Sequence, residues 1–326
     1  MTKLSRRQLL RIAAAGAAAP APLQRAFALD YPTRPLRWIL GFPPGGGSDA
    51  VVRIMAQWLS ERLGQPVIIE NKPGASTNIS IQAAVNAPPD GYTLVFVAAS
   101  SAVNVTLFDN LPFNLTRDIA PVSGLIDFSL VMVVKASTPA KTVADFVAYA
   151  KANPGKITMA SFGTGTTSHL AGELFKSMTG TNMIHVPYRG EAPALTDIIG
   201  GQVDMMFATL TGALAHIRSG GLRVLAVAAK TRSEFLPEVP TVGESVPGYE
   251  ANSWCGVGVP SGTPPEIIAK LNREINAGLA DPATKARLAA VATTPIFFTP
   301  AEFGAYMTAE IEKWGKVAKA SGARPE

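Results

Sequence analysis

Two glycine-rich turns hold the residue types best suited to chemistry. They are Gly41-Phe42-Pro43-Pro44-Gly45-Gly46-Gly47-Ser48-Asp49 and Ser161-Phe162-Gly163-Thr164-Gly165-Thr166-Thr167-Ser168-His169. Each follows a short apolar run and opens an amphipathic segment. Glycine lets the backbone approach a ligand closely. The first amides of a helix attract anions, and the helix dipole adds to that attraction. Neither turn carries Lys or Arg, so amides and hydroxyls would do the recognition. Two such turns, one in each of two bodies, are expected to hold a carboxylate or similar anion between them. Arg189, in Val186-Pro-Tyr-Arg-Gly190, is the nearest candidate cation. A surface or inter-element ion pair is the alternative role for that arginine.

Other chemistries fail on detail. Gly163-x-Gly165 lacks the third glycine of a dinucleotide fingerprint, since Ser168 stands there. No Gly-Lys pair is followed by Ser or Thr, and no Gly-x-Ser-x-Gly elbow occurs. His169, His185 and His216 are too widely spaced for a His-x-x-x-His metal pair. Ser168 and His169 are adjacent, which does not by itself align a hydroxyl with an imidazole. A helix-start role suits His169 better. Cys255, the single cysteine, reads as a small buried hydrophobe. No catalytic residue, cofactor or metal is therefore expected. An exported hydrolase using His169 is the enzyme alternative.

These turns need elements to position them. The 326 residues are 47 % hydrophobic and 16 % charged, enough for about two packed domains. Leu36–Leu40, Val67–Glu70, Thr93–Val97, Leu130–Val134, Ile157–Ala160, Asp204–Phe207 and Val224–Ala228 read as short strands. Asp49–Leu63 has helical spacing and stops at Gly64; Pro193–Ile199 also reads as helix. Thr142/Asp145, Thr263/Glu266 and Thr299/Glu302 fit the capping box. Strands alternating with helices predict α/β layers with a largely parallel sheet. No long linker occurs. Two extended crossings, Asp127–Val134 and Asn252–Val259, would join two lobes, and Trp254 at such a hinge is a candidate to reach a ligand.

The net charge is +5. Five of the 29 basic side chains, and no acidic one, fall in residues 1–28, so the remainder balances at 24 of each sign. Nucleic-acid binding through a basic surface loses its support. Residues 1–28 combine Arg6-Arg7, an alanine-rich stretch and Ala26-Phe27-Ala28. That pattern predicts an export signal cleaved near Ala28, by the twin-arginine or the general route. No later apolar run is long enough to span a membrane.

Ten motifs in order carry a resemblance. Among them are Phe42-Pro-Pro-Gly-Gly-Gly-Ser-Asp49, Glu70-Asn-Lys-Pro-Gly-Ala75, Ser168-His-Leu-Ala-Gly-Glu-Leu-Phe175, Val186-Pro-Tyr-Arg-Gly190 and Pro260-Ser-Gly-Thr-Pro264. The set, spanning residues 31–322, resembles the Bug-type solute-binding proteins of tripartite tricarboxylate transporters. The resemblance implies an α/β periplasmic-binding-protein fold (type II-like) with a ligand cleft between two lobes. After the signal at 1–28, one lobe would comprise 29–129 and 254–326, the other 130–253. It implies a monomeric periplasmic receptor that binds a small organic carboxylate without catalysis. The ligand would pass to a membrane transporter with a large and a small subunit. A sensor subunit presenting ligand to a membrane kinase uses the same fold.

By the same resemblance, the first turn supplies Phe42, Pro44, Gly45, Gly46, Ser48 and Asp49 to the ligand. The second supplies Thr164, Thr166, Thr167 and His169, and the turn Ala99-Ser100-Ser101 supplies its two serines. Asn78, Arg189 and Thr209 complete the candidate set. The sequence departs from the family pattern in two places. Ser76-Thr77 stand before Asn78 where the family usually has glycines, and Ala208-Thr209 stand where it often has Asp-Asn.

Overall fold

The structure is a computed structural model that describes residues 30–108 and 110–321. The expected export signal therefore lies outside the described residues. Strands β1 (Leu36–Leu40), β2 (Val67–Asn71) and β3 (Thr93–Ala98) run parallel. The chain then adds β4 (Ile119–Phe128) and crosses to a second sheet made of β5 (Leu130–Lys135), β6 (Ile157–Ser161), β7 (Met183–Pro187), β8 (Met205–Thr209) and β9 (Leu222–Val227). It returns as β10 (Ser253–Pro260) and β11 (Thr294–Pro295). The first sheet has the order β11-β4-β10-β3-β1-β2 and the second β7-β6-β8-β5-β9. Each sheet, with its helices, forms one lobe.

The expectation of a largely parallel sheet is corrected. β10 pairs antiparallel with β3 and β4, and β5 pairs antiparallel with β8 and β9. The cause is connectivity. β5 and β10 are the first strands after each crossing, and each enters its new sheet against the direction of the neighbours it meets.

The helices on the first part of the chain are α1 (Gly47–Leu63), α2 (Asn78–Val85), α3 (Ala99–Leu107) and α4 (Leu115–Asp118). The second sheet is covered by α5 (Val143–Ala152), α6 (Thr167–Thr179), α7 (Glu191–Gly200), α8 (Leu210–Arg218) and α9 (Val242–Ser245). The chain closes with α10 (Pro265–Ala280), α11 (Pro282–Ala290) and α12 (Pro300–Ser321). Among the described residues, no helix is long and apolar enough to cross a membrane.

Helices on both faces explain why the strands read as unbroken apolar runs. On β5, Met132 and Val134 face a core shared with Phe146, Phe175 and Phe207, while Val131 and Val133 face Leu195, Ile198 and Leu210. The first of these cores also takes Val103, Leu107 and Trp314 from the other lobe. Trp254 is fully buried rather than facing a ligand. Its indole N–H and that of Trp314 both donate to Glu310 Oε2, at 2.8 and 2.9 Å. One buried carboxylate thus ties α12 to β10. Burying a large side chain contributes about 1.5–3 kcal/mol, so this junction is a strong anchor.

The Thr142/Asp145 and Thr299/Glu302 boxes form as expected. The Thr263 box does not. Its hydroxyl donates to the Pro260 carbonyl at 2.7 Å, and the helix begins at Pro265.

Candidate functional site

The carboxyl ends of β1 and β6 face each other across the two lobes, and each delivers a phenylalanine, Phe42 two residues beyond Leu40 and Phe162 directly after Ser161. Phe42 and Phe162 meet edge to face, with ring centroids 6.0 Å apart. On one side of this pair lies a cavity of about 350 Å³. Gly41, Gly74, Ala75, Ser76 and Phe108 line it from the first lobe; Gly163, Thr164, Pro187, Tyr188 and Arg189 line it from the second. On the other side lies a pocket of about 20 Å³, with room for little more than one water. Gly46, Gly47, Ser48, Glu191 and Thr209 border that pocket.

The cavity is mostly aromatic and backbone in character. Tyr188 offers its ring, since its hydroxyl donates to Asp197 Oδ2 at 2.6 Å. Among the described residues lining the cavity, Arg189 has the sole charged side chain. No hydrogen bond or ion pair engages it among the described residues, and it is solvent-exposed at the rim. Ser76 donates its hydroxyl to the Thr164 carbonyl, bridging the lobes. Ala75, Ser76 and Thr77 have φ of 42, 51 and 80°, a left-handed conformation that costs a non-glycine residue about 1–2 kcal/mol. Side-chain bonds hold this stretch: Asn104 Nδ2 donates to Ser76 O at 2.7 Å, and Thr77 Oγ1 lies 3.1 Å from Ser101 Oγ.

The small pocket is organised by Glu191, which the sequence reading did not single out. Its Oε1 accepts from the Thr209 amide at 2.5 Å. Its Oε2 accepts from the Thr209 hydroxyl at 2.9 Å and from the Gly47 amide at 3.0 Å. Gly47 is the first residue of α1, in the opposite lobe. Burial pushes the Glu191 carboxyl up in pKa, against the pull of these bonds. Both oxygens accept from backbone N–H, which is the donor set of a carboxylate anion. An acid in the first turn of a helix reads in sequence as a dipole partner, so nothing in the string marked it as an inter-lobe contact. The matched positions of Phe42 and Phe162 were a legible signal for the aromatic walls.

Of the candidate residues, Phe42, Thr164 and Arg189 line the cavity, and Phe42, Gly46, Ser48 and Thr209 border the small pocket. The others lie elsewhere. Pro44 and Gly45 are exposed and line neither space. Asp49 is buried, where it accepts from the Gly45 amide, from Arg53 and from Asn71. Burial alone would raise its pKa, but those hydrogen bonds outweigh it and hold the carboxyl below its ordinary value. Asn78 Oδ1 accepts from Asn104 at 2.9 Å, and Ser101 Oγ accepts from the Ala98 amide at 3.4 Å. Ser100 is buried beside it, its hydroxyl unpartnered among the described residues.

In the second turn the side chains serve the turn itself. Thr166 caps α6, accepting from the His169 amide at 3.4 Å while donating to the Gly163 carbonyl at 2.6 Å. Thr167 donates to Ser253 Oγ at 3.2 Å, where β10 begins. His169 Nδ1 accepts from the Gly165 amide at 3.2 Å, and its ring stacks on His185 with centroids 4.0 Å apart. Burial, then the neighbouring His185 and Lys176, lowers its pKa to about 3. The ring is neutral at pH 7, so the 3.8 Å approach to Glu173 is not an ion pair. Ser168 donates to the Phe207 carbonyl at 2.6 Å, away from any imidazole. The pairing that a Ser168–His169 hydrolase needs is not made. Cys255 is buried, and burial pushes its thiol far up.

Two α/β lobes with a ligand-sized cleft between their strand ends are the architecture of a solute-binding receptor. The comparison with known proteins makes that specific. The chain belongs to the tripartite tricarboxylate transporter family receptors (TctC), whose sequence profile matches residues 51–323. It is 37 % identical to Protein BugT of Bordetella pertussis over 316 residues, 96 % of this chain and 95 % of that one. Among solved structures, it is similar to Rpa4515 of R. palustris with adipate, with TM-score 0.89 and 34 % identity over 91 % of this chain and 100 % of that one. It is also similar to MatC (Rpa3494) of Rhodopseudomonas palustris with bound malate, with TM-score 0.84 and 28 % identity over 88 % and 99 % of the two chains.

Proposed function

We propose that this receptor binds a small organic carboxylate in the 350 Å³ cavity and delivers it, outside the cytoplasm, to a tripartite tricarboxylate-type membrane transporter. The observation that carries this reading is the Arg189 guanidinium, unpaired among the described residues, at the rim of an aromatic-walled cavity whose other described lining residues are uncharged. A guanidinium reads a carboxylate through paired, charge-assisted hydrogen bonds. Adipate and malate, the ligands of two similar structures, support the class. The lobes would divide as 29–129 with 254–326, and 130–253, with the strand exchanges after Phe128 and before Ser253 as hinges. A mature chain starting near Leu29 accords with export.

Calorimetry with 3-phenylpropionate and 3-phenylpropionamide tests the carboxylate. The acid is expected to bind and the amide to bind at least tenfold more weakly. Arg189→Gln removes a charged hydrogen-bond partner contributing about 1.5–3 kcal/mol, so the acid should lose about 10- to 150-fold in affinity. Equal binding of acid and amide would overturn the reading. Loss of cellular uptake of the bound acid on deleting the gene tests delivery; unchanged uptake would contradict it.

A further inference from the structure

The binding residues of this chain are not symmetric between its two anion-ready turns, and the asymmetry narrows the ligand. The amide of Gly47, which opens α1, already donates to a carboxylate, and that carboxylate is the protein's own Glu191. The same group takes the amide and hydroxyl of Thr209, which caps α8. Two helix N-termini, one from each lobe, are thus satisfied by one buried internal anion. The space left beside it is about 20 Å³, too small for a second carboxylate. On the far side of the Phe42–Phe162 pair, the larger cavity offers Arg189, the single cation among its described lining residues, against the rings of Phe42, Phe108, Phe162 and Tyr188.

We infer that Glu191 is a specificity-determining residue: it occupies the place where a second ligand carboxylate would bind, so the receptor selects acids with one carboxylate and an apolar body. This deepens the carboxylate-receptor reading above and rests on it. The ligand's carboxylate pairs with Arg189. Its body lies among the aromatic walls, where burial of apolar surface provides the affinity. A dicarboxylate long enough to reach past Phe42 and Phe162 brings its second charge toward Glu191. There it finds the amides taken and a like charge in a desolvated setting, where repulsion is poorly screened. The discrimination is built by exclusion as much as by attraction.

The test compares hexanoate with adipate, which differ by one terminal carboxylate, alongside 3-phenylpropionate and its amide. Calorimetry on the full receptor is expected to give hexanoate and 3-phenylpropionate at least tenfold tighter binding than adipate. Glu191→Gln keeps an acceptor oxygen and removes the charge. It should bring adipate to within about threefold of hexanoate, chiefly by strengthening adipate. Adipate binding the native protein as tightly as hexanoate overturns the inference. So does an unchanged ratio in a folded Glu191→Gln protein, or failure of both monoacids to bind at millimolar concentration. If that variant does not fold, the native hexanoate-to-adipate ratio decides alone. The amide separates the two levels of argument. An amide as good as its acid removes the carboxylate reading itself, whereas an acid preferred over its amide, with adipate as tight as hexanoate, removes only the role of Glu191.

Discussion

The turn after β1 and the turn after β6 look alike in sequence and differ in what satisfies them. Both join a buried strand to a helix through glycines, and both present helix-opening amides. The second secures its helix-opening amides locally: Thr166 caps the helix three residues on, and the Gly165 amide is taken by His169, four residues on, while its Thr164 carbonyl accepts from Ser76 of the other lobe. The first secures itself only in part: the Gly45 amide is taken by Asp49, four residues on, but the Gly47 amide is taken by Glu191, 144 residues away and in the other lobe. A locally satisfied turn stays formed whether the lobes are open or shut. A turn satisfied across the cleft is satisfied only when they are shut. Identical backbone chemistry thus yields helix-opening amides held within the turn on one side and across the cleft on the other.

The contrast is broken most severely at Gly47. A Cβ there would sit 2.5 Å from Thr209 Oγ1 and 3.0 Å from Thr211 Cβ. Gly47→Val is expected to hold the lobes apart and weaken 3-phenylpropionate binding at least about 100-fold, about 2.7 kcal/mol. Far-ultraviolet dichroism should be unchanged, and scattering should show a radius of gyration that no longer falls on ligand addition. The neighbouring Gly46→Ala should be nearly neutral, because its Cβ meets nothing closer than 3.6 Å. Equal effects at the two positions would show that closure does not depend on this contact.

The second turn responds to acid. His169 titrates near 6.5 when unfolded and about 3 when folded, chiefly because burial disfavours its charged form. Between those values the unfolded chain binds more protons, so stability is fully present above pH 6.5 and is lost as the pH falls through that window. The loss between pH 6.5 and 5 should be about 2 kcal/mol. His169→Asn retains an acceptor for the Gly165 amide without the titration. Chemical denaturation across that range should give a flatter acid limb than the native protein; an unchanged limb would place the acid sensitivity elsewhere.

The smallest effect is expected at Thr166. Its hydroxyl is committed to the Gly163 carbonyl and the His169 amide, so Thr166→Val should cost about 1 kcal/mol of stability as a lost cap. Ligand affinity well below the melting temperature should change less than threefold. A tenfold loss of affinity without loss of stability would restore this hydroxyl to the ligand.

Much of the fold was legible because it is written locally. β1 has the bounds its apolar run predicts, α1 ends before Gly64, and the Thr142/Asp145 box forms as spaced. β10 was legible only as an extended crossing, Asn252–Val259, because glycine weakens the signal of a strand. Gly256 is there because Phe303 lies 2.2 Å from where its Cβ would stand, a contact with a helix nearly fifty residues later. The site divides the same way. Phe42 and Arg189 could be picked out from their motifs. Glu191 could not, because its role exists only where the lobes meet. The hydroxyls of Thr166 and Thr167 looked like ligand donors because the string does not show that the turn and β10 already use them.

The most direct test of the account is a crystal structure of the receptor with bound 3-phenylpropionate. The account predicts the ligand carboxylate within hydrogen-bond distance of the Arg189 guanidinium and the phenyl ring among Phe42, Phe108, Phe162 and Tyr188. Glu191 should still accept from Gly47 and Thr209. A ligand carboxylate seated on the Gly47 amide, with Glu191 displaced, would contradict it.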